Sequence, residues 1–162
     1  MDHNSEDARN RIVEVHGRTV WRVALSHTRR EDAAEEVFQE VFLRFFEKDR
    51  EFQSDEHCKA WLIRTTLICA KRCQAAMYKH ATVSLDEIVS LSAIPEEDGV
   101  LASALFNLPE KYRLPLQLYY IEGLSGEECS RALGLRLGTL RVRLTRGKNM
   151  LKEILKGEGI NV

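Results

Sequence analysis

The sequence predicts an all-α protein of two small helical domains joined by a linker, on three observations. Apolar residues recur at three- and four-residue intervals through most of the chain, no segment sustains strand alternation, and periodicity fades between residues 81 and 99. A length of 162 residues suits one domain or two small ones. With 44% hydrophobic and 30% charged residues the chain can bury a core, and disorder throughout is not expected.

In the first half, Val13, Val20, Val23 and Ala24 fall on one helical stripe. Val37, Phe38, Val41, Phe42, Phe45 and Phe46 repeat the i, i+4, i+8 rule more strongly, and Trp61, Leu62, Thr65, Ile68 and Cys69 give a third apolar face. Between the second and third helices "KDREFQSDEH" (48–57) reads as a loop, with Ser54-Asp55 supplying a cap for the helix that follows. "TVSLDEIVSLSAIPEEDG" then mixes short apolar pieces with acids and Pro95, and reads as the linker.

The second half opens with a short helix, Val100 to Phe106, and Pro109 takes the favoured first position of the next. Pro115 lies inside that helix, where it removes a hydrogen bond and predicts a bend. Gly123 ends the helix. Ser125 caps another, with Glu128 at the S-x-x-E spacing of a capping box. This helix runs to Leu133, and Gly134 can take the left-handed conformation that stops it. The turn "GLRLG" leads into a final helix from about Thr139, so the sequence has the form of a helix-turn-helix.

Charge is segregated although the net is only −1. "REDAAEEVFQE" (30–40) is acidic, whereas "KAWLIRTTLICAKRCQAAMYK" (59–79) and the 136–152 stretch are basic. On the final helix Leu140, Leu144, Gly147, Leu151 and Ile154 cluster on one side. Arg141, Thr145, Lys148 and Lys152 line an adjacent side, and Val142, Arg146 and Asn149 stand nearly opposite the apolar stripe. A basic helix face alone is usually only solvated. Here it follows a capped first helix and a Gly turn and carries no acid among Arg141, Arg143, Arg146 and Lys148, which favours a nucleic-acid reader.

Other chemistry finds little support. G-x-x-x-x-G-K-[ST], G-x-S-x-G and H-E-x-x-H are absent and the five histidines are scattered singly, so no catalytic residue, metal, cofactor or small-molecule substrate is expected. Cys58, Cys69, Cys73 and Cys129 form no C-x-x-C pair. Cys69 and Cys73, one turn apart, leave a metal or redox site conceivable, but reduced thiols packed in helices are the preferred reading. No apolar run approaches the roughly 20 residues of a membrane span, and "MDHNSEDARNR" has no signal-peptide core. The expectation is a cytoplasmic protein without membrane insertion.

"EDAAEEVFQEVFLRFF", "KAWLIRTTLICAKR", "LPEKYRLPLQLYYIEGLSGEE" and "ALGLRLGTLRVRLTRGKNML" together, in this order, resemble bacterial RNA polymerase sigma factors of the extracytoplasmic-function group. The resemblance implies sigma region two over 9–80, a linker over 81–97 and sigma region four over 98–157. It implies a subunit that binds core polymerase, through the largest-subunit clamp helices and the flap, and directs it to promoter DNA for transcription initiation. An anti-sigma partner is implied by analogy.

By the same resemblance, Asp32, Glu35, Glu36, Gln39, Glu40 and Arg44 are the candidates for clamp docking. Phe52, Gln53, Ser54, Lys59, Trp61, Arg64, Lys71 and Arg72, with Lys79, are the candidates for the melted downstream element, the loop residues handling a flipped base and the cations tracking phosphates. Trp61 stands between two readings, core and stacking platform, with core preferred. Arg141, Val142, Thr145 and Arg146 are expected to face the groove of the upstream element, with Arg136, Thr139, Arg143 and Lys148 near phosphates. Arg143, closest to the apolar stripe, is open to a structural role.

Three positions depart from the family's habit. Ile68 stands where Asn is frequent and Arg72 where an acid or Asn is, so the sequence preference at the downstream element does not transfer; Val142 stands where Ser is frequent, and a shift of specificity is expected there. The alternative is a helix-turn-helix regulator acting without polymerase. That reading needs a dimer interface, and no heptad or self-pairing surface is apparent in the sequence.

Overall fold

A computed structural model of the chain describes residues 6–80 and 99–159, without the side chains of residues 77–80. The linker expected over 81–97 lies outside the described residues, as does the Lys79 side chain. The described residues form seven α-helices and one π-helical turn, with no strand among them. The chain divides into two compact units, Met1–Ile88 and Val89–Val162.

The first unit packs three helices against one another: α1 (Glu6–Thr28), α2 (Glu31–Glu47) and α3 (Asp55–His80). Its core joins Val20, Val23 and Ala24 of α1 with Ala34, Val37 and Val41 of α2 and Leu62, Ile63 and Ala70 of α3. Side chains the size of Leu62 and Ile63 each contribute about 1.5–3 kcal/mol when buried. The alanines and Gly17 leave room for close helix approach; a Cβ on Gly17 would lie 3.6 Å from the Phe38 ring.

Only Arg29 and Arg30 separate α1 from α2. Arg29 adopts the left-handed conformation (φ 57°), and its N–H donates to the Leu25 carbonyl at 2.8 Å, ending α1 as glycine more often does. The Gln74 amide donates to the His27 carbonyl at 2.7 Å, so α3 satisfies a carbonyl that the end of α1 leaves open. The loop before α3 is shorter than expected, because the helix starts at Asp55; the Ser54 hydroxyl accepts from the His57 N–H at 3.2 Å, as a cap does.

The second unit comprises α4 (Gly99–Phe106), α5 (Glu110–Leu116), a π turn (Gln117–Ile121), α6 (Gly126–Leu133) and α7 (Leu137–Gly157). Pro109 sits one position before its expected place, capping α5, and its carbonyl accepts from the Arg113 N–H at 2.9 Å. The bend expected at Pro115 takes the form of a widened turn. Proline lacks an N–H and crowds the carbonyl four residues back, and directly after it the helix opens until the Glu122 N–H reaches the Gln117 carbonyl at 2.9 Å.

Leu105, Leu108 and Leu116 form the core of this unit, and Leu144, Leu151 and Ile154 of α7 pack against it. Gly147 brings α7 closest: an added Cβ would stand 3.0 Å from Leu116 Cδ1 and 3.2 Å from Tyr112 Cβ. Arg113, only 2% exposed, donates to the Leu108 carbonyl at 2.6 Å and so ties α5 to the residue that closes the α4 turn.

This packing makes two stability predictions. Gly147→Ala relieves the helix cost of glycine but overpacks the α5–α7 contact, where Leu116 is buried. A net loss of about 1–2 kcal/mol is expected in urea unfolding. Burial pushes the pKa of His16 below the ordinary 6.5, with Asp55 opposing and Lys59 adding to the effect. A histidine held neutral in the fold contributes stability fully above its unfolded pKa and loses it as pH falls through the lowered folded value. Unfolding midpoints are therefore expected to drop as pH falls below 6.5, and His16→Gln is expected to flatten that drop.

Candidate nucleic-acid and polymerase interface

The helix-turn-helix is assembled from local signals. Ser125 and Glu128 form a reciprocal capping box: the Glu128 N–H donates to Ser125 Oγ at 3.1 Å, and the Ser125 N–H donates to Glu128 Oε1 at 3.2 Å. Gly134 stops α6 in the left-handed conformation (φ 66°, ψ 35°). The turn is tighter than "GLRLG" predicted, because α7 begins at Leu137. Gly138 therefore belongs to the helix and Arg136 is its N-cap. Cys129, fully buried, anchors the inner face of α6.

The N-terminus of α7 is electrostatically open. Its first turn holds no acid, and Arg136 makes no side-chain cap bond. The open N–H groups and the positive end of the helix dipole there favour an anion, and Arg136 at the N-cap and Arg141 one turn on add positive charge. Arg136, Thr139, Arg141, Val142, Thr145, Arg146 and Lys148 are all exposed, and Arg143 is half-buried. Leu140 (0% exposed) and Gly147 take the opposite side into the core. An α-helix rises about 1.5 Å per residue, so the exposed stretch from Leu137 to Lys148 runs roughly 17 Å, enough to cross a major groove about 12 Å wide.

On α2 the docking candidates separate into two sets. Glu35, Glu36 and Gln39 are exposed. Asp32 is exposed but held by both ends of the Arg30 guanidinium, at 3.0 and 2.8 Å, which lowers its pKa below the usual carboxylate value. Glu40 is half-buried and accepts from Arg44 at 2.9 Å and from Arg72 at 3.4 Å. The Arg72 pair joins α3 to α2, though each exposed pair is worth only about 0–1 kcal/mol.

The downstream-element candidates do not form one surface. Arg64, Lys71 and Arg72 lie together on the exposed side of α3, with Ile68 (49% exposed) among them. Lys59 is half-buried and turns elsewhere on the helix. Phe52 and Trp61 belong to an aromatic cluster: Phe52 stacks on Phe45 at 6.0 Å, and Trp61 meets Phe45 edge to face at 5.7 Å. Gln53 is exposed beside them, and Ser54 is committed to capping α3.

Sequence reasoning missed Arg50, whose guanidinium lies 4.2 Å from the Trp61 ring centre while also donating to the Arg44 carbonyl at 3.3 Å. No periodicity signals such a contact, since Arg50 sits in a loop. Burial pushes the Cys58 thiol up to about 11 and the Cys129 thiol up to about 12, and raises those of Cys69 and Cys73. All four are free thiols, and burial of this kind keeps a cysteine protonated. Among the described residues no group of three His, Cys, Asp or Glu is placed to hold a metal ion, and no helix is long and apolar enough to cross a membrane.

Residues 12–72 match the family described as Sigma-70 region 2, and residues 99–151 match Sigma-70, region 4. The chain is 30% identical to the ECF RNA polymerase sigma factor SigE of Mycolicibacterium smegmatis, over 89% of its own length and 60% of that protein's. It is 26% identical to SigW of Bacillus subtilis, over 93% of this chain and 90% of the relative. Among solved structures, RpoE of Bartonella quintana, in complex with the anti-sigma factor NepR, shares the fold with a TM-score of 0.72 at 23% identity, over 94% of this chain and 98% of that one. CnrH, in complex with the cytosolic domain of CnrY, shares it with a TM-score of 0.60. With both regions matched in order, the chain belongs to the sigma-70 family of RNA polymerase sigma factors, in its extracytoplasmic-function group.

Proposed function

We propose that the chain binds core RNA polymerase and directs it to specific promoters for transcription initiation, with residues 9–80 acting as region two and 98–157 as region four. The single observation that carries this reading is the outer side of α7: an acid-free first turn and seven exposed groove and phosphate candidates on a helix whose opposite side is buried. Arg141, Val142, Thr145 and Arg146 read the upstream duplex, and Arg136, Thr139 and Lys148 hold its backbone. Arg143, half-buried, contributes its charge from the edge of that face.

On α2, Glu35, Glu36 and Gln39 offer exposed acids and an amide to a basic polymerase surface, flanked by the paired Asp32, Glu40 and Arg44. On α3, Arg64, Lys71 and Arg72 track the phosphates of the melted downstream strand. Phe52 and Trp61 support the loop bearing Gln53 from beneath, because their ring contacts lie within the unit. An anti-sigma protein is a further partner, by analogy with the RpoE–NepR and CnrH–CnrY complexes.

Gel filtration with core polymerase, followed by run-off transcription on genomic fragments, tests the reading. Stoichiometric comigration and promoter-dependent transcripts are expected; a free dimer that ignores polymerase would replace it with an independent regulator. Arg146→Ala is expected to weaken upstream-element binding by about 1–3 kcal/mol if the residue reads a base, measured as a loss on the cognate duplex that exceeds the loss on scrambled ones. Glu36→Lys is expected to impair comigration with polymerase while leaving duplex binding unchanged; undiminished capture would remove α2 from the docking surface.

A further inference from the structure

The π turn places two consecutive aromatic side chains on the surface. Tyr119 and Tyr120 are 40% and 55% exposed, and their rings meet edge to face at 4.9 Å. Their neighbours Gln117 and Leu118 fill the interior, and Glu122 is buried. Surface tyrosines need no explanation singly. These two are adjacent, and Lys148 of α7 brings its Nζ to 5.9 Å from the centre of the Tyr120 ring.

That contact joins the turn to the basic side of α7. Lys148 follows Arg141 and Thr145 at spacings of seven and three residues, so the three share one side of the helix and all are exposed. Along the axis Lys148 stands roughly 10 Å behind Arg141, close to the width of a major groove. With Arg141 among base edges, Lys148 therefore meets the bordering phosphates. Gly147 admits Leu116 and Tyr112 against α7, and this contact carries the π turn to that border.

We infer that Tyr119 and Tyr120, together with Lys148, form a backbone-holding edge for duplex DNA beside the recognition helix, with the phenol hydroxyls donating to phosphate oxygens. The inference rests on the reading that α7 enters the groove. A phenol suits such an edge, since its ring lies along sugar and its hydroxyl is a neutral donor, while Lys148 supplies the charge.

Neutral donors and cations differ in a measurable way. Replacing a phosphate-bound lysine lowers the salt slope of binding by about 0.9, whereas losing a neutral donor lowers affinity at constant slope. The test measures binding of the full chain to a labelled random-sequence duplex over a salt series, because phosphate contacts need no cognate promoter. Tyr119→Phe and Tyr120→Phe keep both rings and remove only the hydroxyls of two exposed residues, so the fold is expected to be retained.

Each Tyr→Phe variant is expected to weaken binding by about three- to tenfold with no change of slope, and Lys148→Ala to flatten the slope. Unchanged affinity in both Tyr→Phe variants overturns the inference. An Arg141→Ala/Arg146→Ala chain is measured alongside. If it binds weakly while the Tyr→Phe variants bind normally, the edge alone is wrong; if it too binds normally, the reading of α7 fails. Loss of polymerase comigration in the Tyr→Phe variants, without loss of duplex binding, would reassign the pair to a protein partner and likewise overturn the inference.

Discussion

The contact beneath Gly147 governs what the second unit can do. A helix presents a defined outer side only when its inner side is held, and α7 is held where Leu116 and Tyr112 approach a position that has no Cβ. Leu140 and Leu155 fix the rotation from either side, so the direction of Arg141, Val142, Thr145 and Arg146 follows from packing rather than from the charges themselves. Arg113 stiffens the far side of this arrangement by tying α5 to the Leu108 carbonyl inside the core. The basic surface is a consequence of an apolar fit.

The near-neutral net charge conceals how the charges are used. On α7 the basic groups are left without acids along the first turn, a local cost that a bound anion would relieve. On α2 and α3 the charges are partly engaged internally: Glu40 holds Arg44 and Arg72, and Arg30 holds Asp32. Glu36 accepts from the Cys73 thiol of α3 at 3.8 Å, and Glu35, Glu36 and Gln39 are exposed. Surface ion pairs of this kind contribute little stability, so their chief effect is to choose which groups stay available.

Around α3 the aromatic residues have become structure. Phe45, Phe52 and Trp61 support one another, and Arg50 covers a face of Trp61. The loop before α3 thereby gains a hydrophobic floor, and Gln53 and the outer cations of α3 are left as its polar surface. Ile68, exposed among those cations, brings an apolar group where an amide is frequent in the family, a change of chemistry at the surface without a change of fold.

Local sequence rules determined the helices, the Ser125–Glu128 cap, the left-handed stop at Gly134 and the acid-free first turn of α7, because each depends on residues within one or two turns of one another. Small errors came where two local rules competed: the turn before α7 is shorter than its glycines suggested, and Pro115 widens the helix instead of only bending it. Tertiary structure alone decided that Arg50 caps Trp61 and that Lys148 reaches Tyr120, whereas the half-burial of Arg143 follows its place beside the apolar stripe. Those contacts join different segments, from the loop at Arg50 with α3 to the π turn with α7. Their distances depend on how the elements pack, which the spacing of apolar residues along a single element does not encode.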